Sequence, residues 1–337
     1  MALLNLSPDL SNAVQASLPN ALKPQLAKLA SKPPTGKEWI VETKLDGYRM
    51  LARVENGKAR LITRGGHDWT DKIKSLGTAV EGLGIKDAWF DGEIVVMNGK
   101  GLPDFNALQN AIGNKRSAER IVYFMFDAPY YGGLDLRKVP LWSRRALLQH
   151  MLEEQNDHRV RFSQTFTASP AEMLEAARQA GMEGVMLKRM DAPYVSGRSD
   201  TWLKLKCSMR QEFVICGFTD RSGSQREVGG LLLSYYEHGT LTYAGNVGTG
   251  WDAKTAEALH AKLVAIEMDD APLDARTVKP GRWSRRPTGT ERWVSPELIA
   301  EVAFSEWTPD GQVRHPSFTG LRSDRRAKDV ARELPDG

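Results

Sequence analysis

Apolar residues in the first 206 positions occur in short runs that are rich in β-branched and aromatic residues. Glycine-containing turns separate these runs, and such a pattern is typical of strands. The predicted strands are 39–43, 48–54, 59–63, 89–97, 121–126, 184–188 and 202–206.

Helical spacing of apolar residues occurs in the same region. It predicts helices over 12–31, interrupted near Pro19, and over 141–152 and 171–180. Gly181 follows the last of these helices, at the position where glycine commonly ends a helix. Because strands and helices follow each other in an irregular order, the pattern predicts an α+β domain.

The pattern changes after Lys206. Strands are predicted over 212–218, 230–236, 240–247 and 301–307, with a helix over 253–266. Several short strands with one helix predict a small β-barrel such as an OB-fold. We therefore place a boundary within 207–210 and divide the chain into domains 1–206 and 207–325 and a tail 326–337.

Composition agrees with two globular domains. The chain has 337 residues, of which 41% are hydrophobic and 26% charged. It has no apolar run of the roughly 20 residues that span a bilayer, no signal-peptide pattern and no C-x-x-C pair, so we expect a reduced cytoplasmic protein. The net charge of +4 permits a polyanionic partner without requiring one.

A short charged motif separates the first two predicted strands. Lys44, Asp46, Gly47 and Arg49 lie within six positions. The glycine permits a close approach, the arginine can bind phosphate or a ribose hydroxyl, and a lysine of lowered pKa becomes a nucleophile. The alternative is a solvated turn between two strands.

Two carboxylates interrupt a third apolar strand. Asp91 and Glu93 lie in a run that is otherwise apolar, where a carboxylate is costly unless a cation or donors accompany it. A hairpin turn at Asp91–Gly92 is the alternative. The next strand carries Phe126, which can belong to the core or stack on a base.

The last two predicted strands of this region carry further charges. Glu183 precedes a buried strand, and cations follow that strand. Trp202, Lys204 and Lys206 alternate with apolar residues, so all three side chains lie on one face of their strand. Such a face meets either solvent or phosphate.

The order of these motifs over residues 42–206 resembles that of the covalent nucleotidyltransferases. This superfamily comprises ATP-dependent DNA ligases, RNA ligases and mRNA capping enzymes. The second half of the chain is similar to the ligase domain of bacterial end-joining ligase D. The segments that carry this similarity are 196–199, 211–215, 229–231, 243–245 and 307–325.

The resemblance implies a nucleotidyltransferase (adenylation) domain followed by an OB-fold domain. It implies ATP as cofactor: Lys44 attacks the α-phosphate, expels pyrophosphate and holds AMP. The AMP then passes to a DNA 5′-phosphate, and the 3′-hydroxyl displaces it. Asp46, Arg49, Lys204 and Lys206 match the other catalytic positions.

The resemblance also implies a set of nucleotide contacts. Glu42 matches the position that reads adenine, Phe126 the position that stacks on it, and Arg49 and Glu93 contact ribose or phosphate. Lys204 and Lys206 are expected at the α-phosphate. The cations expected at the nick phosphate or the AMP are Arg64 and Arg198.

Two further groups follow from the resemblance. Glu183 and Glu93 are expected to hold Mg²⁺ or Mn²⁺, which carboxylate oxygens suit. Arg322, Asp324 and Arg325 match the segment that orients departing pyrophosphate. The family more often has lysine where this chain has Arg325, which changes the geometry of that cation.

The expected partner is nicked or broken duplex DNA in a bacterial cytoplasm, at the nucleoid. By resemblance, Ku and end-joining polymerase and phosphoesterase domains are candidate partners, no membrane is involved, and the protein is a monomer. The alternatives are an RNA ligase or capping-type enzyme on the same scaffold, and a catalytically silent DNA-binding module.

Overall fold

The computed structural model describes residues 9–114, 117–153, 156–207, 209–278 and 290–333. The chain divides after Cys207 into two compact units. Part of the predicted boundary, residue 208, lies outside the described residues, as do residues 1–8 and the last part of the predicted tail, 334–337. Among the described residues, no helix combines the length and the apolar character that crossing a membrane requires.

The first unit is built from two sheets with helices beside them. Its helices are α1 (Lys74–Glu81), α2 (Phe105–Ala111), α3 (Leu141–Glu153) and α4 (Pro170–Gln179). Its strands, in chain order, are β1 (Val14–Gln15), β2 (Gln25–Leu29), β3 (Trp39–Thr43), β4 (Tyr48–Glu55), β5 (Lys58–Thr63), β6 (Ala88–Val96), β7 (Ile121–Tyr131), β8 (Leu134–Asp135), β9 (Val160–Phe162), β10 (Gly184–Arg189) and β11 (Gly197–Lys206).

The larger sheet has the order β1-β8-β7-β6-β4-β5, and β9 pairs with β7. One face of its central strands is apolar and forms the main core of the unit. Met50, Ile94 and Tyr123 lie on this face and are buried there with α1 and α2. Since successive side chains of a strand point to opposite faces, Arg49 and Glu93 lie on the other face.

The smaller sheet has the order β2-β11-β10-β3, and only its β2–β11 pair is parallel. Val41, Val185 and Leu205 lie on one face and are buried against Ala177 of α4. Ser169 and Glu172 form a capping box at the start of α4, and each accepts the other's backbone N–H. α4 therefore covers the apolar face, and the opposite face of the sheet carries polar residues.

The predicted helix over 12–31 is wrong. The structure has the short strands β1 and β2 there, joined by irregular chain. Pro19 and Pro24 lack the backbone N–H that a helix interior uses, and each disfavours helical geometry in the residue before it. The Pro19 carbonyl instead accepts from Trp89 Nε1 at 2.9 Å and Arg53 Nε at 3.1 Å. Tertiary contacts thus fix this segment.

The other predicted elements of the first unit are found, with shifts of a few residues at most of their ends. Gly181 follows α4 with φ +72°, as expected of a glycine that ends a helix. The largest differences are β7, which continues to Tyr131, five residues beyond the predicted end at Phe126, and β11, which begins at Gly197, five residues before the predicted start at Trp202. The helices α1 and α2 were not predicted.

The second unit is rich in antiparallel strands. Its elements are β12 (Met209–Asp220), β13 (Val228–Glu237), β14 (Thr240–Val247), α5 (Ala253–Val264), β15 (Glu267–Met268), β16 (Arg292–Val294), β17 (Ile299–Phe304), β18 (Glu306–Trp307), β19 (Val313–Arg314) and β20 (Ser317–Arg322). The strand predicted over 301–307 is two strands, β17 and β18, and β20 was not predicted.

A single long strand organises this second sheet. β12 pairs with β17 along its first half, then with β13 and β16. Register shifts interrupt the β12–β13 pairing between Ile215 and Gly217, and such irregularities bend a strand. One strand can therefore serve several parts of a small barrel, and Phe213 and Phe218 of β12 are buried in its core.

Candidate active site

The polar face of the smaller sheet carries two rows of predicted site residues. In the first row the Lys44 N–H donates to the Gly184 carbonyl at 3.0 Å, and Gly184 is paired with Lys206. In the second row, Met186 lies between Glu42 and Lys204. Because paired residues share a face of a sheet, these side chains lie on one surface, which confirms the predicted common face of Lys204 and Lys206.

Gly184 keeps the middle of the first row open. Its φ is +152°, and a Cβ there would lie 2.0 Å from the Leu205 carbonyl oxygen. Only glycine fits this backbone, so no side chain stands between Lys44 and Lys206. The space between the two lysines is thus fixed by the fold.

Lys44 forms an ion pair with Glu183, which lies 139 positions later in the chain. Its Nζ lies 2.5 Å from Glu183 Oε2, and the two side chains are 18% and 6% exposed. Burial by itself lowers the pKa of Lys44, but the Glu183 carboxylate, with Glu93 and Asp46, outweighs burial and raises that pKa. The ammonium is therefore the stable form of Lys44 in this arrangement.

The carboxylates near Lys44 suit a metal that is shared with a ligand. Glu183 and Glu93 both act on the Lys44 ammonium. The described part of the chain has no group of three or more His, Cys, Asp or Glu residues that could hold a metal ion. Mg²⁺ commonly takes one or two carboxylates and completes its shell with phosphate oxygens and water. The donor set fits such a site.

Arg49 forms a bidentate ion pair with Asp91 on the larger sheet. Arg49 Nε lies 2.5 Å from Oδ1, and Nη2 lies 2.6 Å from Oδ2. Burial alone would lower the pKa of Arg49, but the Asp91 carboxylate outweighs this and raises it. The guanidinium carbon also lies 4.4 Å from the centre of the Phe126 ring and 5.4 Å from that of Trp202.

Glu42 lies in a buried cluster of charges. Its carboxylate is 2.9 Å from Arg145 Nη1 and 2.8 Å from Lys188 Nζ, and it accepts from Ser163 Oγ at 2.8 Å. Burial raises the pKa of Glu42, but the two cations outweigh burial and lower it. Glu42 is therefore ionised, and both of its oxygens already have partners within the protein.

Lys188 lies among the predicted site residues, although the sequence analysis did not single it out. Its Nζ lies 3.8 Å from the centre of the Phe126 ring and 4.3 Å from that of Trp202. Apart from the ion pair with Glu42, this buried Nζ makes no hydrogen bond of ordinary geometry to any residue that the structure describes. Burial lowers the pKa of Lys188 to about 8 although Glu42 opposes the shift. Alternation along β10 with Gly184 and Met186 was the signal that could have found it.

Phe126 is 7% exposed and belongs to a small core cluster with Ile40, Leu141 and Trp202. The Arg49 and Lys188 cations lie over its ring. The structure thus brings Phe126 together with the charged residues of the site, in a position between the two sheets of the first unit.

Arg64 and Arg198 are the two remaining predicted cations of the first unit. Arg64 follows β5, in the turn where the Thr63 N–H donates to the His67 carbonyl. Arg198 is an exposed residue of β11, and its Nη1 donates to the Ala27 carbonyl at 3.1 Å. No hydrogen bond or ion pair in the structure joins Arg198 to the residues around Lys44 within the described part.

The predicted residues of the second unit form a cluster of their own. Arg322 donates to Asp324 Oδ1 at 2.9 Å and to Glu301 Oε2 at 2.9 Å, and Arg325 pairs with Glu212. Burial alone would lower the pKa of Arg322, but Asp324, Glu301 and Glu212 together raise it well above its ordinary value. These charges therefore neutralise one another within the unit.

Two family models match the chain. The ATP dependent DNA ligase domain matches residues 20–206, and the ATP dependent DNA ligase C terminal region matches residues 224–325. The chain belongs to the ATP-dependent DNA ligase family. The expected fold, a nucleotidyltransferase domain followed by an OB-fold domain, is confirmed with it, and membership favours a DNA ligase over an RNA ligase, a capping enzyme or a binding module.

Relatives of the chain include end-joining proteins. It is 44% identical over 323 residues to the multifunctional non-homologous end joining protein LigD of Pseudomonas aeruginosa. It is 34% identical over 298 residues to the multifunctional non-homologous end joining DNA repair protein LigD of Mycobacterium tuberculosis. These alignments cover 95% and 88% of this chain and 38% of each relative, so the chain spans less than half of either protein.

A solved structure supports the same family. A mycobacterial DNA ligase D complexed with ATP and MES has 32% sequence identity and a TM-score of 0.65. The match covers 93% of this chain and 98% of that chain. Both units of this ligase therefore have counterparts in a single solved structure.

Proposed function

We propose that this ligase seals breaks in duplex DNA through a covalent lysyl-adenylate on Lys44. The observation that carries the proposal is the position of Lys44 at the end of β3, beside Glu183 and in one row with Lys206. A nucleophilic amine, a carboxylate and a second cation are thus brought to one surface. That combination suits attack on a phosphate that bears a leaving group.

The first step forms one bond and breaks one. Lys44 Nζ forms a bond to the α-phosphorus of ATP, the bond to the bridging oxygen breaks, and pyrophosphate leaves. Because Lys44 is an ammonium beside Glu183, it must lose one proton before it attacks and a second once the N–P bond has formed, and both protons pass to solvent. A DNA 5′-phosphate then takes the AMP from Lys44, and the 3′-hydroxyl displaces AMP as the phosphodiester forms.

Nucleotide binding is proposed for the residues that surround Lys44. Lys204 and Lys206 would neutralise the α-phosphate from their common face, and Arg49 would contact ribose or phosphate. Phe126 would meet the adenine ring. Arg64 and Arg198 would act on the nick phosphate or the AMP.

The contacts that Glu42 already makes within the protein restrict how it could recognise adenine. Both Glu42 oxygens are already bound within the protein, to Arg145, Lys188 and Ser163. We therefore propose that Glu42 acts with Lys188, whose Nζ has donors without hydrogen-bond partners in the described structure. Adenine presents acceptors to such an ammonium, whereas the N1 of guanine presents a donor.

A divalent cation, Mg²⁺ or Mn²⁺, would be held by Glu183 and Glu93. It would neutralise phosphate charge in the transferred group. The cation would then balance the negative charge of Glu183 in place of the Lys44 ammonium. Asp46 would act on Lys44 electrostatically.

Arg322, Asp324 and Arg325 are proposed to orient pyrophosphate during the first step. Their ion pairs with Glu212 and Glu301 would have to yield some of their donors to the leaving group. The last two steps involve no pyrophosphate, so these residues should be dispensable there.

The cellular role is proposed from the relatives. LigD proteins are named for non-homologous end joining, and we propose the same role here, in the bacterial cytoplasm at the nucleoid. Cooperation with Ku and with polymerase and phosphoesterase domains, and action as a monomer, belong to the same proposal.

Nick sealing tests the proposed activity. A labelled duplex with one 3′-hydroxyl and 5′-phosphate nick is incubated with the chain, ATP and Mg²⁺ or Mn²⁺, beside the same nick in RNA. We expect a sealed DNA strand, little sealed RNA, and no product when GTP replaces ATP. A chain that seals RNA and ignores DNA would contradict the proposal.

A further inference from the structure

The Asp91 carboxylate is fully buried, and donors from two other segments hold it. Arg49 donates to both of its oxygens, and the Tyr194 hydroxyl donates to Oδ2 at 2.6 Å. Gln25 links Tyr194 to Arg49, because its N–H donates to the Tyr194 hydroxyl and its carbonyl accepts from Arg49 Nη2, each at 3.1 Å. Four segments distant in sequence therefore share one hydrogen-bond network.

Gln25 is fixed in this network by its side chain. The side chain is fully buried, its Nε2 donates to Thr201 Oγ1 at 3.0 Å, and its Oε1 accepts from the Val195 N–H at 2.9 Å. Both partners belong to β11 or to the segment before it. The side chain thus fixes where the Gln25 backbone meets Arg49 and Tyr194.

Tyr194 is held by its ring as well as by its hydroxyl. The residue is 4% exposed, its ring packs edge-to-face on Trp202 at 6.3 Å, and the Arg144 guanidinium lies 5.8 Å from the ring centre. Replacement by phenylalanine keeps these ring contacts. It removes the donor to Asp91 and the acceptor for Gln25 N–H, and changes little else.

The network leaves one part of Arg49 for a ligand. Nε and Nη2 bind Asp91 and the Gln25 carbonyl, while Nη1 has no hydrogen-bond partner in the part of the chain that the structure describes. Because a guanidinium is planar, fixing two of its nitrogens fixes the direction of the third. The Nη1 donors of Arg49 therefore point in a direction set by Asp91, Tyr194 and Gln25.

We propose that Tyr194 and Gln25 are positioning residues for Arg49 in adenylyl transfer. The proposal rests on the function given above, in which Arg49 contacts the nucleotide. Tyr194 keeps Asp91 in the orientation that binds Arg49 at two points, and Gln25 holds the second Nη2 donor. Neither residue has to touch ATP.

The test compares two tyrosine-to-phenylalanine variants of the full chain. Tyr194→Phe removes the hydroxyl in the network. Tyr130→Phe is the matched control, because its partly buried hydroxyl also binds the N-terminal segment, at the Ala16 carbonyl, and makes no hydrogen bond to a predicted site residue within the described ranges. In single-turnover labelling with ATP, we expect Tyr194→Phe to be slower by about tenfold, as the loss of a hydrogen bond to a buried charge implies, and Tyr130→Phe to be unchanged.

A double-mutant cycle separates positioning from general packing. If Tyr194 acts through Arg49, Tyr194→Phe should slow labelling by less than about twofold when Arg49→Lys is already present. Equal losses in both backgrounds would overturn the positioning role, as would equal rates for Tyr194→Phe and the parent chain. Thermal unfolding of all variants verifies that they are folded at the assay temperature.

Failure of the inference is distinguishable from failure of the proposed function. If the parent chain takes no label from ATP and releases none to pyrophosphate, the function itself is wrong. If the parent chain is labelled and Tyr194→Phe matches it, only the positioning role is wrong. Gln25→Ala gives a further comparison, with slower labelling expected because the Gln25 backbone loses its two side-chain anchors.

Discussion

Lys44 and Glu183 form an ion pair in which Nζ and Oε2 are 2.5 Å apart. The pair raises the pKa of Lys44, although attack on ATP requires the neutral amine. The residue proposed as nucleophile is therefore stored as an ammonium, and its activation depends on what happens to the Glu183 charge.

The rate of lysine labelling should depend on pH with a defined sign. A raised pKa keeps the amine protonated to higher pH, so the rate should increase as pH rises through the neutral and mildly alkaline range. Glu183→Gln removes the main cause of the upward shift, so the rise should begin at lower pH even if the maximum rate falls. Glu175→Gln, which changes an exposed carboxylate on α4, is the control. Identical profiles for the Glu183 variant and the parent would contradict this account.

Glu42 should contribute strongly to stability. It is the shared anion of Arg145 and Lys188, and removing one member of a buried ionic cluster typically costs about 3–5 kcal/mol. Urea unfolding of Glu42→Gln should therefore show a clearly lower midpoint. Glu306→Gln, which removes the exposed partner of the equally exposed Arg314, should leave the midpoint almost unchanged. Similar midpoints for the two variants would argue against the buried cluster.

Lys188 should affect nucleotide use more than folding. Lys188→Met fills the same space against Phe126 and Trp202, and it leaves Glu42 paired with Arg145. The ATP concentration for half-maximal labelling should rise by about tenfold, as the loss of charged hydrogen-bond donors implies. In this variant, unlabelled ATP should lose more of its ability to compete against labelling than unlabelled GTP does. An unchanged ATP requirement would remove Lys188 from the nucleotide site.

Arg325 should matter for one step only. Arg325→Ala should slow labelling by ATP by at least about tenfold if it orients pyrophosphate, because an ionic contact to the leaving group is lost. Sealing of a nick that already carries 5′-AMP should continue at the parent rate. The neighbouring Arg326→Ala removes a mainly exposed pair with Asp329 and serves as control. Equal losses in both steps would indicate a structural role instead.

Strands with clear apolar runs were predictable, and so was the common face of Lys204 and Lys206. Strand alternation is a local property, so the sequence shows which side chains of one strand share a face. That Met186 lies between Glu42 and Lys204 depends in addition on which strands are neighbours and how they pair. The neighbours themselves depend on tertiary structure. The sequence alone could not show that Lys44 meets Glu183, 139 positions away.

The N-terminal segment shows why local pattern fails. Leucine spacing between residues 12 and 31 suggested a helix, but Pro19 and Pro24 and contacts to the larger sheet select extended chain. Gln25, which follows Pro24, enters the network of Arg49 in consequence. Lys188 was missed for a related reason: alternation along β10 places it on the same face as Gly184 and Met186, but its burial beside Glu42 depends on tertiary structure.

The most direct test of the central claim is covalent labelling of Lys44. The chain is incubated with ATP labelled on its α-phosphate and Mg²⁺ or Mn²⁺, denatured, and examined for retained label, with Lys44→Ala alongside. We expect label on the parent chain, none on Lys44→Ala, and release of the label as ATP when pyrophosphate is added. Absence of label on the parent, with no AMP released by pyrophosphate from the protein as purified, would contradict it.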